Sequence, residues 1–105
     1  MKVRVCSAGE VPSGAMAAFD VAGRRVLVAN ARGDYFAISD TCSHAQASLS
    51  EGRLDAGDCT VECPLHSAVF DLKTGEALEP PAEDPVAAYP LSIEGGDVYI
   101  EIDGD

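Results

Sequence analysis

Two short motifs each combine a cysteine with a histidine, and together they contain both histidines of the chain. The first is Cys42-Ser43-His44 and the second is Cys63-Pro64-Leu65-His66. Thiolate and imidazole side chains are ligands that zinc and iron prefer. The chain begins with alternating charged and apolar residues, unlike the continuous apolar stretch of a signal peptide. In the cytoplasmic setting that this predicts, clustered Cys and His favour a metal site over disulfides.

Two kinds of metal site compete for these four side chains. Zinc takes two Cys and two His in a tetrahedral site, which would make the chain a zinc-stabilised interaction module without a redox role. A Rieske 2Fe-2S cluster takes two Cys on one iron and two His on the other. Common zinc fingers supply both cysteines from one knuckle and both histidines from a helix, whereas here each motif offers one of each. That order favours a cluster held between two loops, with the zinc module as the alternative.

The elements that must position these motifs have the sequence pattern of β-strands. Near the C-terminus, Val98, Ile100 and Ile102 alternate with other residues, a period of two that buries one face of a strand. Apolar runs at 25–30 and 35–39 are separated by a turn that contains glycine. No amphipathic helix is evident. The pattern predicts an all-β fold, a small antiparallel β-sandwich or barrel.

Three segments interrupt the strand pattern. Residues 40–53 and 63–67 contain the two Cys-His motifs, and residues 78–85 contain three prolines. Because proline fixes φ and lacks an amide donor, the third segment is predicted to be a stiff loop. We expect a single domain over residues 1–105.

The motifs and the residues that follow them resemble a known family. Phe70-Asp71 and Thr74-Gly75 follow the second motif, and Tyr89-Pro90-Leu91 and a final hairpin follow the proline loop. This order resembles, over nearly the whole chain, the small Rieske-type ferredoxins of bacterial multicomponent aromatic ring-hydroxylating dioxygenases. The segment between the motifs is slightly longer than is usual in that family. A turn near residues 55–58 is expected to absorb the difference.

The resemblance implies a cofactor, its ligands and a role. Cys42 and Cys63 would hold the inner iron of one Rieske-type 2Fe-2S cluster, and His44 and His66 would hold the outer iron at the tip of the protein. The proline loop would form a third wall over the cluster, so that the cluster-binding part, at about 40–85, would consist of the two loops plus the proline loop. The protein would be a one-electron carrier and not an enzyme, serving a ferredoxin reductase fed by NAD(P)H and a terminal oxygenase. A small reductase subunit with the same cluster is a further alternative.

Departures from the high-potential Rieske proteins predict a low redox potential. Those proteins have a disulfide between the ligand loops, where this chain has Ala47 and Leu65. They also have a Ser and a Tyr that donate to the cluster sulfurs, where this chain has Ala68 and Phe70. Without such donors the reduced cluster is less stabilised. We therefore expect a midpoint potential near the low end of the Rieske range, about −150 mV.

The chain is strongly acidic, which limits its partners. Its 105 residues contain 18 Asp and Glu against 7 Lys and Arg, a formal net charge of −11. This disfavours nucleic acid and anionic membranes as partners, and no apolar run could span a bilayer. Residues 55–105 contain 13 acidic side chains and one basic side chain, Lys73. They could steer transient encounters with a basic redox partner, or serve only solubility.

Other features exclude further roles. No glycine-rich dinucleotide motif is present, and both histidines are assigned to the cluster, so we expect no small-molecule substrate. We expect a cytoplasmic monomer. Cys6 and Cys59 are predicted to be free thiols, with a disulfide between them as the alternative, and Cys59 is placed on the strand that leads to the second motif.

Overall fold

Antiparallel β-strands make up most of the computed structural model, which describes residues 1–42, 47–65, 68–79 and 84–102. The strands are β1 (Lys2–Ser7), β2 (Met16–Val21), β3 (Arg24–Ala31), β4 (Asp34–Ser39), β5 (Arg53–Asp55), β6 (Thr60–Glu62), β7 (Val69–Asp71), β8 (Ala77–Glu79), β9 (Ala88–Tyr89), β10 (Leu91–Glu94) and β11 (Asp97–Glu101). The helical elements of this part of the chain are two short 3-10 turns, Ala8–Glu10 and Leu49–Glu51. The predicted all-β antiparallel class is confirmed.

The strands form three small sheets. The first has the order β1-β11-β10, the second β2-β3-β4-β9, and the third β5-β6-β7-β8. Tight turns at Gly23 and Gly33 join β2 to β3 and β3 to β4, so that most neighbours in a sheet are also neighbours in sequence. The third sheet lies entirely within the segment predicted to bind the cluster.

The second sheet separates two hydrophobic cores, because its central strand, β3, buries both of its faces. Val26 and Val28 point into a core shared with the first sheet, which includes Val98 and Ile100. Leu27 and Ala29 point into the other core, which the third sheet and the Cys-His loops complete. Since side chains alternate along a strand, this fully apolar run contributes to both cores. The cluster-binding part is therefore packed directly onto the scaffold.

Charge in the first sheet is largely paired across strands. Lys2 forms an ion pair with Glu94, and the Arg4 Nη2 lies 3.1 Å from the Asp97 Oδ1. The N-terminal amino group of Met1 lies 3.3 Å from a Glu101 carboxylate oxygen. Acids of the acidic C-terminal half thus meet bases of the N-terminal strand. These three carboxylates are therefore not available as unpaired negative charge.

The described helices are too short to act as membrane spans. Within the ranges that the structure describes, no helix is both long and apolar enough to cross a bilayer.

The predicted turn near residues 55–58 is present between β5 and β6, where the Asp58 amide donates to the Asp55 Oδ1 at 3.1 Å.

Candidate metal centre

The first ligand loop leaves the second sheet at the end of β4 and returns on itself. Thr41 and Ser48 form an antiparallel bridge, and the Cys42 amide donates to the Ala47 carbonyl at 3.0 Å. The Leu49 amide donates to the Asp40 carbonyl at 2.7 Å. A short ladder therefore ends at Cys42 and closes the loop that contains His44.

The second ligand loop is closed in the same way. It connects β6 to β7, whose last paired residues are Glu62 and Val69. The Cys63 amide donates to the Ala68 carbonyl at 2.7 Å. In both loops the cysteine amide therefore bonds to the carbonyl of an alanine five residues later, and each cysteine occupies the same place in a tight hairpin. Two equivalent loops are suited to share one cofactor between them.

The sulfur atoms of Cys42 and Cys63 lie side by side in the interior. The two residues are 4% and 2% exposed, and the Cys42 side chain is hydrogen-bonded to that of Cys63. Burial raises the pKa of the Cys63 thiol above its usual range; the Leu65 amide, which donates to the sulfur, opposes this shift, and the Cys42 hydrogen bond adds to it. A bound metal cation would reverse this preference and favour both thiolates.

A close backbone contact joins the two loops. Gly52 follows the 3-10 turn that ends the first loop, and a Cβ placed on it would overlap the Glu62 carbonyl oxygen and lie 3.1 Å from the Pro64 Cδ. The chain leaving the first loop is thus pressed against the chain entering the second. Only glycine permits this approach, which fixes the spacing of the two loops.

The surroundings of the two cysteines are apolar. Leu49, Ala68, Phe70 and Leu72 are buried in the same core cluster as both sulfurs. Neither Ala68 nor Phe70 has a side chain that can donate to sulfur. Leu65, by contrast, is 47% exposed and is not part of this buried cluster. The donor set is two adjacent, buried cysteine sulfurs with a backbone amide aimed at one of them, and this fits a thiolate-bound iron.

Comparison with known proteins identifies the centre to which this arrangement belongs. Residues 1–90 match the Rieske 2Fe-2S domain. The chain belongs to the Rieske 2Fe-2S domain family. Over 101 residues it is 46% identical to the 3-phenylpropionate/cinnamic acid dioxygenase ferredoxin subunit of Escherichia coli strain K12, which covers 96% of this chain and 93% of that protein.

Two solved structures are similar to this Rieske domain over almost their whole length. The ferredoxin of carbazole 1,9a-dioxygenase from Nocardioides aromaticivorans IC177 superposes with a TM-score of 0.93 at 36% identity, covering 98% of this chain and 99% of that one. The second, a complex of reduced oxygenase and oxidized ferredoxin in carbazole 1,9a-dioxygenase, has a TM-score of 0.87 at 29% identity and 97% coverage of both chains. The present chain is a Rieske-type ferredoxin: it holds one 2Fe-2S cluster, transfers electrons and is not itself an enzyme. The zinc-module alternative finds no support.

Of the four predicted ligands of this Rieske domain, the structure brings the two cysteines together. His44 and His66 lie outside the described residues, as do residues 80–83 of the proline loop. Within the described ranges no third Cys, His, Asp or Glu joins the two cysteines in a metal-binding group. The chain that follows the proline loop is anchored where the Val86 amide donates to the Gly75 carbonyl at 2.9 Å.

The remaining cysteines do not take part in the site. Cys6 is buried in the core on the other side of β3, and neither Cys6 nor Cys59 forms a disulfide, in agreement with the prediction. The placement of Cys59 on a strand was wrong. Cys59 has a φ of 60° and lies in the turn that joins β5 to β6, which begins at Thr60, because a tight turn between antiparallel strands often needs a residue with left-handed backbone.

Sequence reasoning missed two residues that hold the ligand loops of this Rieske domain. Gly52 was not distinguished from other glycines, because its role depends on contact with a chain segment that approaches it only when the protein folds. Asp40 is fully buried. The available indication of its role was its position, directly between an apolar run and a ligand motif. A carboxylate at such a position is expected to be buried, and buried carboxylates occur only with specific partners.

Proposed function

We propose that this ferredoxin carries single electrons from an NAD(P)H-dependent ferredoxin reductase to the terminal oxygenase of an aromatic ring-hydroxylating dioxygenase. The observation that carries the proposal is the pair of adjacent buried cysteines at the ends of two equivalent hairpins. The dioxygenase ferredoxins to which the chain is similar, one of them in complex with its oxygenase, support this role. A Rieske cluster supplies reversible one-electron chemistry.

Four residues are proposed as ligands. Cys42 and Cys63 bind the inner iron, and their burial keeps water from the sulfurs. His44 and His66, two and three residues beyond the cysteines in their loops, bind the outer iron. Imidazole ligands at a loop tip leave a ring edge through which an electron can pass to a partner. The Leu65 amide donates to the Cys63 sulfur and would favour the reduced, more negative state of a bound cluster.

The structure suggests where a partner meets negative charge. Asp55, Asp58 and Glu62 line an open cleft of about 460 Å³ on the outer face of the third sheet, together with Arg53. None of these three carboxylates forms an ion pair with another described residue, whereas acids of the first sheet are neutralised by β1. We therefore assign steering to the outer face of the cluster-binding sheet. Encounters of this kind are transient and sensitive to salt.

The proposal includes the organisation and location of the molecule. The ferredoxin is a single domain over residues 1–105, with its cluster-binding part at about 40–85. It acts as a cytoplasmic monomer without nucleic acid, membrane or small-molecule substrate. Its sequence contains no glycine-rich nucleotide motif, so that electrons enter through the reductase and not from a bound nicotinamide.

The experiment that tests this function is reconstitution of electron flow. The purified ferredoxin is mixed with a ferredoxin reductase, NAD(P)H and a terminal Rieske oxygenase, and NAD(P)H oxidation and hydroxylated product are measured together. We expect both to depend on ferredoxin concentration. A colourless protein that contains zinc instead of iron and sulfide would overturn the cofactor, and a coloured protein that the reductase cannot reduce would overturn the proposed role.

A further inference from the structure

A buried carboxylate lies at the base of the first ligand loop. Asp40 follows β4 and precedes Cys42 by two residues, and its side chain is 1% exposed. Its Oδ1 accepts the Ser50 amide at 2.8 Å, and its Oδ2 accepts the Arg25 Nε at 3.3 Å. Both oxygens are therefore satisfied by protein groups on opposite sides of the loop. Burial of a carboxylate is costly without such partners, so its placement here requires a reason.

The main chain of Asp40 joins the same elements. Its amide donates to the Arg25 carbonyl at 3.1 Å, and its carbonyl accepts the Leu49 amide at 2.7 Å. One residue thereby connects β3, the end of β4 and the 3-10 turn that follows the loop. The pairs closer to the tip are Thr41 with Ser48 and then Cys42 with Ala47. Asp40 is therefore at the start of the ladder that ends at a cluster ligand.

The charged side chains around Asp40 differ in how far they are exposed to water. The Arg25 side chain is 50% exposed, and its Nη1 lies 3.7 Å from the Oδ1 of Asp20, which is 78% exposed. Water screens Asp20, whereas the charge of Asp40 acts through a medium of lower dielectric constant. Of the two acids that Arg25 contacts, only Asp40 can influence a cofactor at Cys42 strongly.

We propose that Asp40 is a positioning residue for the cluster and that its pair with Arg25 sets both the place of Cys42 and the electron affinity of the centre. The inference rests on the proposed binding of the cluster between Cys42 and Cys63. Reduction adds negative charge to the cluster, so the buried carboxylate opposes reduction and the guanidinium favours it. The pair balances the two effects, while the hydrogen bonds hold the loop.

The test is a charge-compensation cycle on the intact ferredoxin. Asp40→Asn, Arg25→Gln, the double variant and Asp20→Asn are purified with their clusters, and midpoint potentials are measured by spectroscopic redox titration. We expect Asp40→Asn to raise the potential and Arg25→Gln to lower it. The double variant should lie between the two single variants, because it removes one charge of each sign. Asp20→Asn, which alters an exposed contact of the same arginine, leaves the potential unchanged.

The outcomes separate this proposal from a structural role and from the proposed function. Unchanged potentials in both single variants, or shifts of the same sign, would overturn it. If Asp40→Asn does not retain the cluster, Arg25→Lys decides: it keeps the positive charge, so its potential must lie nearer to wild type than that of Arg25→Gln, and equal potentials contradict the proposal. Failure of the proposed function is recognised separately, in wild-type protein that binds no cluster or cannot reduce the oxygenase.

Discussion

Two adjacent cysteine sulfurs are the residues on which the chemistry of this ferredoxin depends. Cys42 and Cys63 are buried in one apolar cluster and hydrogen-bonded to each other, although they are far apart in sequence. Burial penalises the charge of the Cys63 thiolate and so raises the pKa of that thiol. A cation that binds both sulfurs compensates that penalty. The structure describes the placement of the two cysteines, so the ligands that remain to be tested by substitution are the proposed histidines.

Replacement of either proposed histidine ligand should remove the Rieske spectrum. In His44→Ala and His66→Ala we expect loss of the visible circular dichroism and electron paramagnetic resonance signals of the cluster, because one iron loses a ligand. The control is Cys59→Ala, which changes a partly exposed cysteine outside the site. A normal spectrum in His66→Ala would refute its assignment as a ligand.

A hydroxyl placed beside the second loop should raise the redox potential. Ala68 is fully buried near Cys63 and offers no donor. A serine at this position can donate to sulfur in the reduced state, so Ala68→Ser should raise the potential by about 40 mV, the equivalent of ~1 kcal/mol for one hydrogen bond.

The matched control for this substitution is Ala37→Ser. Ala37 is also buried, but it lies in the core on the other side of β3. The buried hydroxyl of Ala37→Ser should lower the free energy of unfolding about as much as that of Ala68→Ser, but it should leave the redox potential unchanged. Equal potentials in Ala68→Ser and wild type would show that the side chain at this position does not reach the cluster.

The two ligand hairpins act as one element because their backbones touch at Gly52. Their spacing depends on a contact that any side chain would obstruct. Gly52→Ala should therefore push the hairpins apart, lower the free energy of unfolding by about 1–3 kcal/mol and reduce cluster content.

Thermal unfolding and the ratio of iron to protein measure this effect. Gly9→Ala is the control, since a Cβ at Gly9 meets nothing within 4 Å and the residue lies in a short 3-10 turn away from the site. The interpretation of Gly52 fails if both alanine variants bind iron equally well and unfold at the same temperature as wild type.

The predictability of an element from sequence depended on its length and on where its partners lie. The continuous apolar run of β3 and the period-two pattern of β11 sufficed, since each extends over at least four residues. Strands β5 to β8 have three residues each, and the first of them, Arg53–Asp55, is mostly polar. A run of three residues is too short to show a period of two. The Cys-His motifs were visible locally, whereas the contacts of Asp40 and Gly52 depend on residues brought together only by folding.

Charge is distributed differently in the folded molecule than along the chain. The acids of β10 and β11 are paired with Met1 and β1, so negative charge without an ion pair among the described residues includes the cleft of Asp55, Asp58 and Glu62. A count of charges along the sequence therefore overstates the contribution of β10 and β11 to the unpaired negative charge of the molecule. Within the part of the chain that the structure describes, the cleft on the third sheet is therefore the surface to which we assign the proposed steering.

Neutralising the cleft should slow association with a basic partner at low salt. For Asp55→Asn/Glu62→Gln we expect a roughly threefold to tenfold lower second-order rate of electron transfer at low ionic strength, with convergence to wild type as salt screens the charges. Stopped-flow reduction by the reductase and oxidation by the oxygenase measure the rate.

The control Asp20→Asn/Glu101→Gln removes the same number of charges from exposed ion pairs elsewhere. Surface pairs of this kind contribute little to stability, so this variant should fold normally and react at close to the wild-type rate. Equal rates for the two double variants would mean that net charge, and not the cleft, governs association.

The position of β3 between two cores has a consequence for amide hydrogen exchange. Its amides are bonded to β2 and β4, and its side chains are covered on both faces. Exchange at these amides requires both cores to open, so they should be the slowest in the molecule and report the global free energy of unfolding. Amides of the three-residue strands should exchange through smaller openings. Removal of the cofactor should thus accelerate exchange around the loops while β3 remains protected.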